Sequence, residues 1–562
     1  MDFSTLVAAL QTPEIYPEHP AKVDLVQTHV SAIFLTGEHA YKVKKPVDFG
    51  FLDFSTLEKR KFFCQQEVVL NRRLCPEIYL GVVEIRLHQG RVFLGEGPGA
   101  IVEYAVLMKQ LPQDRMMERW LSRGDIPPAL LHKIAAKIAH FHAQAETNSE
   151  IASFGAIDTI RHNLEENFRQ TEKYIGLSIS AESFREIKEN THLFMQNQLP
   201  LFNQRIAAGK IRDCHGDLHL QHICLTEEIL IFDCIEFNRR FRYSDVAADI
   251  AFLLMDLDVH NFPLLSADLG SSYLRLSQDW SLFLLLDFYK SYRAYVRGKV
   301  ISFRIEDPGI VDAEKGSALE EARGYFRWAH HYARRLNRPV LLITCGLMGT
   351  GKSTIARALS ESLGWPRLSS DALRKELANL SPREHRYEKF DQGLYAPDFS
   401  RTTYQALFER ARNILDRGNS LIIDASFKKQ MDRREAQALA EQAGADFLLI
   451  ECQLPEGEVR RRLAPRVSDP EEPSDGRWEL FAAQREDFER VAEMSSDFHL
   501  ALRTEAPVED CLGAIFQHLL RKAGREGPGP VGEKYPTAGN PHPGLLGILD
   551  EPSHPIGRRG ET

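Results

Sequence analysis

A chain of 562 residues exceeds the roughly 250 to 300 residues at which a single hydrophobic core stops growing, so at least two domains are expected. Its 70 lysines and arginines against 79 aspartates and glutamates leave a formal charge of -9, which excludes a global attraction to nucleic acid or anionic membranes and confines phosphate chemistry to local clusters. Eight cysteines without a C-x-x-C pair outline neither a zinc site nor a disulfide framework, the first twenty residues lack the basic and apolar regions of a signal peptide, and no apolar run approaches the roughly 18 residues that span a bilayer. The expectation is a cytoplasmic protein with no membrane partner.

Residues 28–45, THVSAIFLTGEHAYKVKK, carry two β-prone runs around a Gly-containing turn and predict a hairpin. The segment STLEKRKFFCQQEVVLNRRL follows, with Ser55 as N-cap and Glu58 three residues later in a capping-box arrangement. Strand-like pieces at 79–86 and 91–109 come next, and from Pro127 the pattern turns helical, so the first half predicts a small β-rich lobe before a helical one. A helix over 317–336 ends before Asn337-Arg338-Pro339, the candidate boundary. Beyond it VLLITCG, a helix from Lys352, and SLIIDASF alternate as strand, helix and strand, the order of a parallel α/β domain. From Ala523 onward, 9 glycines and 7 prolines fall within 40 residues, a composition that predicts disorder.

The most specific motif is Gly346-Leu347-Met348-Gly349-Thr350-Gly351-Lys352-Ser353, a G-x-x-x-x-G-K-S loop between an apolar strand and a helix that continues through Thr354. Backbone N–H groups of such a loop cradle phosphates at a helix N-terminus, Lys352 reaches the β- and γ-phosphates of ATP, and Ser353 ligates Mg2+. After the first helix, RLSSDALRKEL places Asp371 and Arg374 one turn apart: an acid to accept a hydroxyl proton and a guanidinium to orient phosphate, or else a plain Asp N-cap with a surface arginine. Asp424 closes SLIID as a candidate Mg2+ or acceptor-side acid, with a strand-end turn acid as the alternative. Arg460, Arg461, Arg462 and Arg466 form a cluster that reads equally as a phosphate-covering lid or a solvated helix face. Together GLMGTGKST, SSDALRKEL, LIIDASF and the arginine cluster resemble the small P-loop kinases of the AAA_33 or zeta-toxin and polynucleotide-kinase-like group over roughly 338–520. The resemblance implies phosphoryl transfer with Asp371 as base toward the acceptor hydroxyl.

A second constellation precedes it: Cys214-His215-Gly216-Asp217-Leu218-His219-Leu220-Gln221-His222, then Ile231-Phe232-Asp233-Cys234-Ile235-Glu236-Phe237. Two acids at the edges of β-prone runs suit phosphoryl transfer, one receiving the acceptor proton and one holding metal. Zinc held by His215, His219 and His222 is the competing reading. HGDLH with a later FDxIEF resembles the aminoglycoside phosphotransferase and choline-kinase-like superfamily, a branch of the protein-kinase-like fold, over roughly 25–300. That likeness implies Asp217 as base, Asp233 as magnesium ligand, His215 as a brace of the loop, and scaffolding roles for Asp245 and Asp249. Lys42 and Lys44 share a strand face, Lys44 being the preferred phosphate lysine, and Glu67 is its partner, with a surface salt bridge as the alternative. The family carries Asn five residues after the base, where this chain has His222.

The expected fold class is therefore mixed α/β and α+β: a bilobal protein-kinase-like domain over 1–325, a P-loop domain with a parallel sheet flanked by helices over 335–522, and a disordered tail over 523–562. The expected function is a bifunctional ATP- and Mg2+-dependent kinase acting on small-molecule hydroxyls. One alternative makes the N-terminal domain a nucleotide-sensing regulator. Another, nucleic-acid 5′-kinase activity, is disfavoured by the acidic balance and the lack of a basic, aromatic track.

Overall fold

The computed structural model describes residues 1–123, 126–306, 310–381, 391–464 and 477–531. The chain divides into two compact units, the first comprising Met1–Leu269, Leu286–Ala333 and the segment from Gly527, the second Gly270–Leu285 and Arg334–Glu526. This departs from the boundaries expected from sequence, because composition is blind to which neighbours a helix chooses. In the second unit Trp280 stacks on Phe516 with centroids 5.5 Å apart, and Arg275 pairs with Asp510 at 2.9 Å. Beyond residue 523 the helix Val508–Arg525 continues to its end, and Trp328 Nε1 donates to the Gly529 carbonyl at 2.7 Å within the first unit. Residues 532–562 of the predicted tail lie outside the described residues.

The first unit begins with a six-stranded antiparallel sheet: β1 (Asp24–Gln27), β2 (Ser31–Leu35), β3 (His39–Lys44), β4 (Tyr79–His88), β5 (Arg91–Leu94) and β6 (Ala100–Lys109), in the order β1-β2-β3-β6-β4-β5. The single strand-like piece expected over 91–109 is two strands, separated where Gly95, Gly97 and Gly99 fall. One face is covered by the N-terminal helix Phe3–Leu10, whose Leu6 and Leu10 pack with Ala32, Phe34 and Tyr41. The other carries the helix Leu57–Asn71, whose Cys64 and Val68 pack with Tyr79, Tyr104 and Val106. That helix is capped by Thr56, not Ser55: Asp53 already takes the Ser55 N–H and hydroxyl, leaving the Thr56 hydroxyl to accept from Lys59 N.

Helices dominate the remainder of this unit, interrupted by the short pairs β8 (Ile223–Leu225) with β9 (Ile229–Ile231), and β7 (Ile211–Asp213) with β10 (Tyr243–Asp245). The helix Val246–Val259 is buried along its whole length, its apolar residues packing on all sides and its three aspartates, Asp249, Asp256 and Asp258, each taking hydrogen bonds.

In the second unit β11 (Val340–Cys345), β12 (Arg367–Ser369), β13 (Leu421–Asp424), β14 (Asp446–Gln453) and β15 (His499–Arg503) form a five-stranded sheet, all parallel, in the order β12-β13-β11-β14-β15. Central β11 is apolar along its length because both faces are covered, by the helix Lys352–Leu363 among others. Ligands of such sheets bind beyond the carboxyl ends of the strands, where β11 and β13 deliver Gly346 and Asp424. Among the described residues no helix is long and apolar enough to cross a membrane.

Candidate active sites

Left-handed glycines shape the loop after β11. Gly346 has φ +130° and a Cβ there would sit 2.6 Å from the Cys452 carbonyl oxygen, so no other residue fits. Gly351, at φ +89°, caps the following helix and exposes its first N–H groups. Lys352 is half-buried and donates to the Leu347 carbonyl at 2.7 Å, closing the loop on itself, and desolvation holds its pKa below the ordinary lysine value. Ser353 Oγ donates to Asp424 Oδ1 at 3.2 Å, while Arg367 grips Asp424 Oδ2 at 2.9 Å. Burial raises the Asp424 pKa, against the opposing Arg367 and Lys352 charges. Two oxygen donors from Ser353 and Asp424 side by side are the hard-ligand set that suits Mg2+.

Asp371 is not the N-cap of its helix: Ser369 is, accepting from Ala372 N, and Asp371 is left to pair with Arg374 at 3.1 Å. The Arg374 guanidinium also lies 4.6 Å from the Tyr395 ring centroid. Lys352, Ser353, Thr354, Asp371, Arg374 and Asp424 line one cavity of about 620 Å³ together with Met348, Gly349 and Gly351. Gly346, Leu347 and Thr350 form the loop without lining it. The same cavity is also lined by residues that no sequence motif marked: Arg401, Lys428, Lys429, Asp432, Arg477 and Asp487. Lys428 and Lys429 reach Asp487 at 2.6 and 2.7 Å. Burial, with Glu435 nearby, lifts the Asp432 carboxyl to about 6.

The arginine cluster divides. Arg462 donates to the Thr504 carbonyl at 2.7 Å, beside Gly351, Arg460 lies over the Trp478 ring, and Arg461 pairs with Glu458. None of the three lines the cavity, and Arg466 lies outside the described residues.

In the first unit the two lysines of β3 separate. Lys42 Nζ lies 2.7 Å from Asp233 Oδ1 and 2.9 Å from Glu67 Oε1. Lys44 Nζ lies 2.6 Å from Glu67 Oε2 and also pairs with Glu236. Lys44, the lysine preferred from sequence, is thus one pleat removed from Asp233, and Lys42 adjoins it. Burial pulls the Lys42 pKa down, but Asp233 and Glu67 outweigh it and hold the amine well above its ordinary value. Burial likewise pushes Asp233 up, and Lys42 more than reverses this, so Asp233 stays ionised.

Asp233 has φ +62°, a strained conformation for a non-glycine residue of the kind that clusters at functional sites. The loop Cys214–His222 is held from beneath by Asp249, which accepts from His215 N and Gly216 N at 2.9 Å each and contacts His142 Nε2 at 3.1 Å. Asp245 caps the buried helix and takes two bonds from Arg205. His215 Nε2 donates to the Phe232 carbonyl, and its Nδ1 accepts from Asp217 N, so it ties the two acidic segments together. Asp217 Oδ1 is buried without a hydrogen-bond partner among the described residues. His219 and His222 gather with Asp217, whereas His215 does not join them. Burial, reinforced by His219, depresses the His222 imidazole to about 4, so it is neutral near pH 7. Beyond Asp217 and Asp233 a cavity of about 440 Å³ is lined by aromatics including Phe49, Phe51 and Phe241, and by polar residues including Asn163, Glu166 and Lys299.

A left-handed glycine loop between a central parallel strand and a helix, with lysine and serine at the helix start, defines the second unit as a P-loop nucleotide-binding domain. Residues 341–491 match the AAA_33 family model, described as an AAA domain. Over 508 residues the chain is 29% identical to an uncharacterized protein of Mycobacterium bovis and, equally, to one of Mycobacterium tuberculosis, covering 89% of this chain and 96% of each relative. Similar solved structures include a gluconokinase from Sinorhizobium meliloti 1021, at 18% identity and TM-score 0.25 over 33% of this chain and 95% of that one. Another is the Mycobacterium tuberculosis APS kinase in complex with AMPPNP and APS, at 19% identity and TM-score 0.25 over 32% and 98%.

Proposed function

We propose that the protein is an ATP-dependent phosphotransferase with two sites, each moving the γ-phosphoryl group of ATP to the hydroxyl of a small molecule. The observation that carries this reading is the single cavity lined at one end by Lys352, Ser353 and Asp424 and alongside them by the Asp371–Arg374 pair. Phosphate-cradling groups next to a carboxylate that is neither a cap nor sealed off are what transfer to an acceptor requires, whereas simple nucleotide sensing needs only the first set. The acceptor oxygen forms a bond to the γ-phosphorus as its proton passes to Asp371, and ADP departs with the bridging oxygen while Lys352 and Arg374 neutralise the developing charge. Ser353 and Asp424 would hold Mg2+, which would add further charge neutralisation.

In the first unit Asp217 is the base and Asp233 the metal-side acid, with Lys42 bridging Asp233 and Glu67 as the phosphate lysine. The support is the convergence of Lys42, Glu67 and Asp233 within 2.9 Å contacts and the unpartnered Asp217 Oδ1 beside a 440 Å³ cavity.

The test is transfer of radiolabelled γ-phosphate from ATP into a pool of small hydroxylated metabolites by the full chain and its Lys352→Ala and Asp217→Asn variants. Each variant is expected to abolish a distinct set of labelled products, and the double variant all of them. If Asp217→Asn leaves every product in place and changes only their rate of formation, the first unit is a regulator. No labelled product from the wild-type chain overturns the reading.

A further inference from the structure

We propose that the divalent cation of the first unit is ligated by His222 Nε2 together with Asp233 Oδ2, making this a mixed nitrogen and oxygen site that selects a first-row transition metal such as Mn2+ over Mg2+. The inference rests on the reading of Asp233 as the metal-side acid.

One hydrogen bond and the packing around the ring determine how His222 presents itself. Its Nδ1 lies 2.9 Å from the Asp217 carbonyl oxygen, which only accepts, so Nδ1 carries the ring proton and Nε2 presents its lone pair. The ring cannot turn away, being buried with centroids 4.1 Å from His219 and 5.7 Å from Phe232. Its Nε2 faces Asp233 Oδ2 at 3.5 Å. Asp233 gives its other oxygen, Oδ1, to Lys42, and its left-handed backbone aims the carboxylate into the site.

With the Nδ1 proton engaged by the Asp217 carbonyl, Nε2 and Asp233 Oδ2 face each other as a nitrogen and an oxygen donor for one cation. Metal–nitrogen and metal–oxygen bonds of about 2.0 to 2.2 Å place two ligands of one ion about 3.0 to 3.5 Å apart for bond angles from octahedral to tetrahedral. The 3.5 Å gap therefore already lies at the edge of a coordination shell. His219 is not an equivalent ligand, because its Nδ1 accepts from Gln221 N, and so Nε2 carries the proton, towards Asp217.

The selectivity follows from the donor set. Mg2+ takes oxygen ligands at short, near-octahedral distances and parts with water reluctantly, so an imidazole in its inner shell is a poor exchange. Mn2+, Co2+ and Zn2+ accept imidazole readily. The P-loop cavity offers only oxygens next to Lys352, with no histidine among its described lining residues, so one chain would carry two nucleotide sites of different metal preference.

The deciding measurement is the electron spin-echo modulation of Mn2+ bound to the full chain with the β,γ-methylene analogue of ATP, in a Lys352→Ala background that silences the P-loop. Modulation from a coordinated imidazole nitrogen is expected, retained in His219→Asn and lost in His222→Asn, with the Mn2+ affinity falling about tenfold or more relative to that for Mg2+. If His222→Asn does not fold, the spectrum of the parent chain still decides. Bound Mn2+ that is weakened by Asp233→Asn yet shows no nitrogen modulation overturns the proposal and leaves Asp233 as a metal ligand. Mn2+ binding indifferent to Asp233→Asn removes the underlying reading, and this proposal with it.

Discussion

Replacing each β3 lysine by methionine separates two roles that the sequence leaves entangled. Lys44→Met removes the one lysine paired with Glu236 among the described residues, Glu236 being 2% exposed, and one of two on Glu67, which is fully buried. Lys42→Met strands Asp233, which is 18% exposed and can regain water, while Glu67 keeps Lys44. Breaking a buried ion pair costs about 3 to 5 kcal/mol, so Lys44→Met belongs near the upper end of that range and Lys42→Met near about 3 kcal/mol. A stranded Glu236 can take up a proton, and burial already raises its pKa, so the Lys44→Met penalty is expected to shrink as pH falls from 8 to 5. Function is expected to rank the other way, Lys42→Met abolishing ATP-dependent transfer at the first site and Lys44→Met reducing it only in proportion to folded protein. Hydrogen exchange of the β2 and β3 amides at increasing urea reads the stability of this unit separately from the other. A Lys42→Met chain less stable than Lys44→Met, or one that retains transfer, would refute the assignment.

Gly346→Ala combines a left-handed backbone with a clash against the Cys452 carbonyl and is expected to cost about 2 kcal/mol or more. Gly364→Ala, also left-handed but facing open space, should cost about 1 kcal/mol, and thermal melts of the two variants compare them directly. Asp432, raised to about 6, stays protonated in the folded chain while the unfolded chain ionises near 4, so its contribution to stability declines as pH rises from about 4 to 6. Asp432→Asn should flatten that decline by about 1 kcal/mol after allowance for solvent screening, and urea midpoints at pH 4.5 and 6.5 that shift equally in both chains would count against it. All eight cysteines are buried, and burial pushes Cys64, Cys75, Cys234, Cys345 and Cys452 to about 12. Fewer than one thiol per native chain should therefore react with an aromatic disulfide reagent within minutes at pH 8, and prompt labelling of several would contradict the burial.

The P-loop was legible because its chemistry is local. Three left-handed glycines, a lysine and a serine do their work within eight consecutive residues, and the φ values they require exclude most other sequences. Asp217 and Asp233, singled out in the sequence at the edges of β-prone runs, line one cavity in the structure. The strand, helix and strand order around Lys352 likewise anticipated a parallel sheet, since crossover helices leave few other solutions.

Tertiary structure decided what depends on direction and distance between segments far apart in sequence. Strand alternation puts Lys42 and Lys44 on one face but cannot say which is level with Asp233, a residue 191 positions away. Arg367 on Asp424 and the Lys428, Lys429 and Asp487 group carry no motif, because their role arises only where strand ends and loops converge over β11 and β13. The same holds for His222. Its place five residues after Asp217 was plain from the sequence, but only the folded chain puts its Nδ1 on the Asp217 carbonyl and its Nε2 3.5 Å from Asp233.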